Sequence, residues 1–255
     1  MPAKKFLFLL AIFLMIGRVS LGFGQNSIID QIQNTQNSLV TIHADMASFY
    51  KNPGGRTAID PQTGKMVLLR TVTKASYDRN GAGVIVHPTG IIVTNAHVVD
   101  KANQITVILH DKTEMPAKVL RLVENLDMAL LKIETPYPLI PVRIADSDQI
   151  HLGDEIITVG NSQLLNQTVS GGKIKGLGVN RTNQKDGRVR NDLIQTTVNL
   201  YQGDSGGPLF DRNGFLIGLM TAKDTSADHS SFAIPANKIK QYLLEYLQTA
   251  SKIRL

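Results

Sequence analysis

Apolar residues recur along this chain in short runs rich in Val, Ile and Leu, and the runs end at Gly, Asn, Asp or Pro. Runs of this kind read as β-strands closed by turns. Leu39–Ile42 gives a first strand, followed by Gly83–Val86, Ile91–Thr94, Gln104–Leu109, Ala117–Val123 and Ala129–Ile133. A second series comprises Glu155–Val159, Gln167–Lys175, Leu193–Val198, Pro208–Phe210 and Leu216–Thr221. No long helical pattern alternates with these strands, so the chain is predicted to be all-β, a sandwich or barrel rather than an α/β fold. His87–Gly90 and Asp211–Gly214 are predicted turns, and the Asn213-Gly214 pair of the second favours a tight hairpin.

The period changes near both ends. Ile28, Ile29 and Ile32 approximate one helical face, which predicts a short helix over Ser27–Ser38. Ile239, Tyr242, Leu243 and Tyr246 repeat at three- and four-residue spacing and predict an amphipathic helix over Pro235–Leu247. Proline is tolerated at such a helix start. Asn52–Lys65 gathers Asn, Pro, Gly and Asp and is predicted to be a long exposed loop.

The leader has a different chemistry. Lys4 and Lys5 precede an unbroken apolar run, Phe6–Ile16, and the small residues Ser20, Gly22 and Gly24 follow. The run is shorter than the ~20 residues that span a bilayer and fits an export signal. Residues 1–24 are therefore expected to be a signal peptide, the folded part being exported to a periplasmic or secreted location. Membrane attachment is expected only if that segment stays uncleaved. Taking Lys4, Lys5 and Arg18 from the 27 basic residues leaves 24 against 21 acidic ones. That surplus is too small to argue for a nucleic-acid partner. The absence of cysteine excludes disulfides, thiolate zinc sites and a cysteine nucleophile.

Candidate chemistry starts at Gly203-Asp204-Ser205-Gly206-Gly207-Pro208-Leu209. A serine attacking a carbonyl needs space and backbone N–H groups aimed at the oxyanion, and flanking glycines allow both. The N–H groups of Gly203 and Ser205 are the expected oxyanion donors. A serine also needs a base that titrates near neutral pH. His97, in Thr94-Asn95-Ala96-His97-Val98-Val99, follows a β-branched strand. His43, His87, His110, His151 and His229 have no such setting. Asp127 stands where the chain enters the apolar run Met128–Ile133, and a buried carboxylate there needs a partner such as an imidazole N–H. Asp100 and Asp111 look like loop residues around a hairpin. The order His, Asp, Ser is that of chymotrypsin rather than of subtilisin or the α/β-hydrolases.

Gly81–Val86, the Thr94–Val99 run, Leu126–Ile133, Gly203–Leu209 and Ser231–Pro235 together resemble the HtrA/Deg family of trypsin-like serine proteases. The similarity covers residues 38–248 or so. It implies two six-stranded β-barrels of chymotrypsin type with the catalytic His97, Asp127 and Ser205 between them, and a short C-terminal helix. Residues 25–145 are then an N-terminal extension with the first barrel, and residues 146–255 the second barrel and helix. It further implies cleavage of unfolded or damaged polypeptides of the cell envelope, assembly as a homotrimer, and no cofactor or metal.

Three features depart from the family. The sequence ends after the terminal helix, where relatives carry PDZ domains; Asp204 replaces the usual asparagine; and the expected regulatory loop, Val179–Asn191, is rich in arginine. Asn199, Leu200 and Tyr201, with Thr221, Ala222 and Lys223, match the substrate-binding pocket and include no acid. Leu200 points to small aliphatic side chains at the cut, while Lys223 leaves another preference open. Thr221 is expected to hydrogen-bond Asp127. Two alternatives stay beside the protease reading: a latent protease-fold chaperone or binding protein, and a secreted glutamyl or exfoliative-type protease.

Overall fold

A computed structural model describes residues 35–51, 56–60, 63–69, 72–160, 168–182, 187–223 and 230–253. The first strand, β1, spans Leu39–Lys51, well past the predicted Ile42. Val40, Ile42, Ala44 and Met46 are all buried while the residues between them are less so, a period of two that carries the strand onward. β1 pairs along its whole length with β4, Val72–His87. Between them, β2 (Arg56–Ile59) pairs with β3 (Met66–Leu69). The predicted long loop is thus partly a hairpin: its turn residues close it, with Gly64 at φ 66 donating its N–H to the Asp60 carbonyl at 2.8 Å.

β5 (Ile91–Thr94), β6 (Gln104–Ile108), β7 (Glu114–Val123) and β8 (Met128–Ile133) complete a closed barrel in the order β1-β4-β5-β8-β7-β6. A single helical turn, α1 (Ala96–Val99), lies between β5 and β6. A second closed barrel has the order β10-β11-β14-β13-β12-β9. Its strands are β9 (Glu155–Gly160), β10 (Thr168–Thr182), β11 (Val189–Thr196), β12 (Pro208–Asp211), β13 (Leu216–Lys223) and β14 (Ser231–Pro235). The all-β, two-barrel architecture expected from the sequence is what the chain adopts. The segment read as a regulatory loop, Val179–Asn191, belongs in part to β10 and β11, which pair Arg181 with Arg190.

The terminal helix α2 spans Ala236–Ile253, a turn and a half longer than predicted. Ile239 and Leu243 are buried, and Arg121 of β7 pairs with Glu245 at 2.8 Å and lies over the Tyr242 ring at 4.4 Å. One apolar cluster joins the two barrels and this helix through Val84, Val93, Leu130, Val159, Phe210, Leu219, Phe232 and Ile239. Each such side chain contributes about 1.5–3 kcal/mol when fully buried, so the barrels are held as one body and the cleft between them has fixed walls. The predicted Ser27–Ser38 helix and the leader lie mostly outside the described residues; Gln36–Ser38 form a 3-10 turn. Among the described residues no helix is long and apolar enough to cross a membrane.

Candidate active site

β5 and β8 are neighbours, with Thr94 opposite Ala129, so the loop after one meets the loop before the other. At this meeting point Asp127 adopts φ 58, a left-handed conformation that costs a non-glycine residue about 1–2 kcal/mol. Its carbonyl accepts the Ala96 N–H and the Asn95 side-chain amide, each at 3.0 Å. Its carboxylate is thereby turned toward His97. His97 Nδ1 lies 2.8 Å from Asp127 Oδ2, and the His97 backbone N–H donates to Oδ1 at 3.0 Å. The Thr221 hydroxyl, from β13 of the other barrel, donates to Oδ2 at 2.5 Å, the contact expected from the sequence.

Asp127 is only 3% exposed. Burial by itself raises its pKa, but the hydrogen bond and charge of His97, the Thr221 hydroxyl and the nearby Arg190 guanidinium outweigh burial and hold it below the ordinary carboxylate value. An anionic acceptor on Nδ1 requires the proton there, which leaves Nε2 free to accept one. The His97 side chain is 45% exposed and opens into the cleft.

The Gly203–Gly207 turn is tied to both barrels. The Ser205 carbonyl accepts the Ala82 N–H of β4 at 2.8 Å, and the Gly206 N–H donates to the Met220 carbonyl of β13 at 2.9 Å. Gly206, at φ 82, must be glycine: a Cβ would lie 2.3 Å from the Ala82 carbonyl oxygen and 2.4 Å from Thr94 Oγ1. Asp204 is buried behind the turn, where Oδ2 accepts the Tyr201 N–H at 2.8 Å. Gly203 is at φ 99. Among the described residues, no hydrogen bond uses the N–H of Gly203 or Ser205, and none joins Ser205 Oγ to His97 Nε2.

His97, Asp127 and Ser205 line one cleft of about 410 Å³ with Leu200, Thr221, Ala222 and Lys223. Leu200 is buried, whereas Ala222 and Lys223 are partly exposed, and Lys223 Nζ donates to Asn199 Oδ1 at 2.5 Å. The Thr221 hydroxyl is committed to Asp127, so this residue faces the carboxylate more than a ligand. A larger hollow of about 780 Å³, between Pro136–Pro138 and the end of α2, contains no such histidine–carboxylate pair. Of the competing histidines, His43 bonds to Asn80 and His87 to Thr89, His151 is near Asp154, and His229 lies outside the described residues.

Arg190 was not singled out from the sequence beyond its place in an arginine-rich loop. It is 5% exposed, with Nη2 3.7 Å from Asp127 Oδ1. No local signal marks it, because its carboxylate partner lies on the other barrel.

The family described as "Trypsin-like peptidase domain" matches residues 81–219. The chain is 37% identical over 186 residues to the probable periplasmic serine protease do/HhoA-like of Haemophilus influenzae, covering 70% of this chain and 40% of that protein. It is 36% identical over 173 residues to the periplasmic pH-dependent serine endoprotease DegQ of Escherichia coli, covering 65% and 37%. It is 34% identical over 216 residues to the magnetosome formation protease MamE of Paramagnetospirillum magneticum, covering 82% and 29%. The chain spans less than half the length of these curated relatives.

Proposed function

We propose, from the premise that the chain belongs to the trypsin-like peptidase family and within it to the HtrA/Deg serine proteases, that it is a serine endopeptidase with Ser205 as nucleophile, His97 as base and Asp127 as orienting carboxylate. The observation that carries this is the 2.8 Å hydrogen bond between His97 Nδ1 and Asp127 Oδ2, on the same cleft as Ser205. His97 Nε2 takes the Ser205 proton as Oγ attacks a peptide carbonyl. The N–H groups of Gly203 and Ser205 receive the oxyanion, and the imidazolium then protonates the leaving amine. Water, activated by the same histidine, releases the acyl-enzyme.

The substrates are unfolded or damaged envelope proteins, and the protein acts after export, in line with the periplasmic proteases it resembles. Buried Leu200 and small Ala222 favour a small aliphatic side chain at the cut. A latent state is the second reading, favoured by the missing hydrogen bond between Ser205 and His97, although such bonds often tighten only with substrate.

Digestion of β-casein by the purified protein and by Ser205→Ala, with cut sites mapped by mass spectrometry, tests both. Cleavage by the wild type alone, after Ala or Val, supports the endopeptidase. An intact substrate in both reactions, with Ser205 unreactive to a fluorophosphonate, supports the latent reading.

A further inference from the structure

The charge on the cleft walls is lopsided. Among the described lining residues Asp127 is the one carboxylate, and it already faces His97 and Arg190. Among the described residues, two other cations on the second barrel have only neutral partners. Lys223 Nζ donates to Asn199 Oδ1 at 2.5 Å and lies 5.8 Å from the Tyr201 ring. Arg181 Nη2 donates to the Lys223 carbonyl at 3.1 Å, and its guanidinium is 5.2 Å from the Phe232 ring. Neither has a carboxylate partner among the described residues. An ammonium has three donors and a guanidinium five, so each keeps donors beyond the one used here.

These cations share a wall with Leu200 and Ala222, the residues assigned above to the acyl side of the substrate. Leu200 is buried and apolar, whereas Lys223 bonds to an exposed Asn199 and so stands nearer the rim. Accordingly the aliphatic contact belongs inside the pocket, and the charge meets a neighbouring position. We propose that Lys223 and Arg181 select substrates with an acidic side chain on the acyl side, at a position preceding the small aliphatic residue at the cut. This rests on the endopeptidase reading and names its substrate class: anionic, extended polypeptide segments. A carboxylate there finds two hydrogen-bonding cations in a partly enclosed cleft, where attraction is stronger than on open surface.

The test scans a labelled peptide with Glu→Gln exchanges through the four positions before the cut. Hydrolysis is measured with the wild type, and binding by fluorescence anisotropy with full-length Ser205→Ala. A partly screened pair leads to about a five- to tenfold preference for one Glu-containing peptide, declining as salt is raised. Lys223→Glu should invert that ratio, and Arg181→Met should reduce it. Hydrolysis without any Glu/Gln preference overturns the proposal while leaving the endopeptidase standing. A Glu preference in binding without hydrolysis keeps the proposal and overturns the activity. Equal binding of both peptides with no hydrolysis overturns the two together.

Discussion

Asp127 and Asp204 are the same residue at nearly the same burial, 3% and 2% exposed, one on each barrel beside the cleft. Their partners make them different devices. Asp127 collects a titratable ring, a hydroxyl from the opposite barrel and a backbone N–H, with a buried guanidinium nearby. Asp204 accepts the Tyr201 N–H and closes the turn in which Ser205 sits. A carboxylate whose donors include a side chain able to carry a proton can take part in chemistry. One bonded to its own turn shapes the backbone that the chemistry uses.

The largest effect that separates them is expected from Asp127→Asn. An amide at this position offers an N–H where His97 needs an acceptor, which favours the wrong imidazole tautomer. Turnover should fall about 10⁴-fold with the fold retained, as expected for losing this role in a serine protease. Peptide hydrolysis measured beside circular dichroism checks it. Loss of activity together with loss of native structure would instead make Asp127 a folding determinant.

Gly160→Ala attacks the other carboxylate. The added Cβ would lie 1.9 Å from Asp204 Oδ1 and 2.3 Å from its Cγ, and the Asp204 side chain is buried and anchored on Tyr201. Overpacking of this kind costs about 1–3 kcal/mol, which lowers Tm by roughly 2–12 °C for a chain of this size. An unchanged melting curve would mean that the turn yields freely and that Asp204 fixes little.

These sites were unequally legible in the sequence. The Gly203–Gly207 turn and the His97 and Asp127 strand ends stand out in the sequence because each is a local run of glycines or β-branched residues against one polar group, and the fold brings His97, Asp127 and Ser205 to one cleft. The all-β class was readable from the short strand runs, whereas the two barrels came only with the family resemblance. β1 outruns the predicted Leu39–Ile42 because the buried alternation continues through Ala44 and Met46 in a stretch that no longer consists of β-branched or leucine residues. The β2–β3 hairpin was hidden by its turn residues, which look alike in a hairpin and a loop. Arg190 was least legible: an arginine at a strand start looks solvated, and only the docking of one barrel on the other brings it to Asp127.

Thr221→Ala gives a smaller, sharper test of that docking, since Thr221 comes from the second barrel to a carboxylate of the first. A hydrogen bond to a charged group is worth about 1.5–3 kcal/mol, so kcat should fall about tenfold or more with KM little changed. Thr221→Ser restores the hydroxyl and should recover most of the loss. Equal defects in the Ala and Ser variants would show that the methyl group, rather than the hydrogen bond, matters.

The smallest effect is thermodynamic and belongs to Asp127 as a charge. Its folded pKa lies below its ordinary value of about 3.8, because His97, Thr221 and Arg190 favour the ionised form more than burial disfavours it. A carboxylate depressed in this way contributes stability that is fully present above the unfolded pKa and disappears as pH falls through the folded one. Denaturant unfolding of wild type and Asp127→Asn should therefore show a gap at about pH 5 that narrows as pH falls below about 4. A gap that stays constant into strong acid would mean that Asp127 is held by hydrogen-bond geometry alone. Its charge would then matter only to the imidazolium of the proposed mechanism.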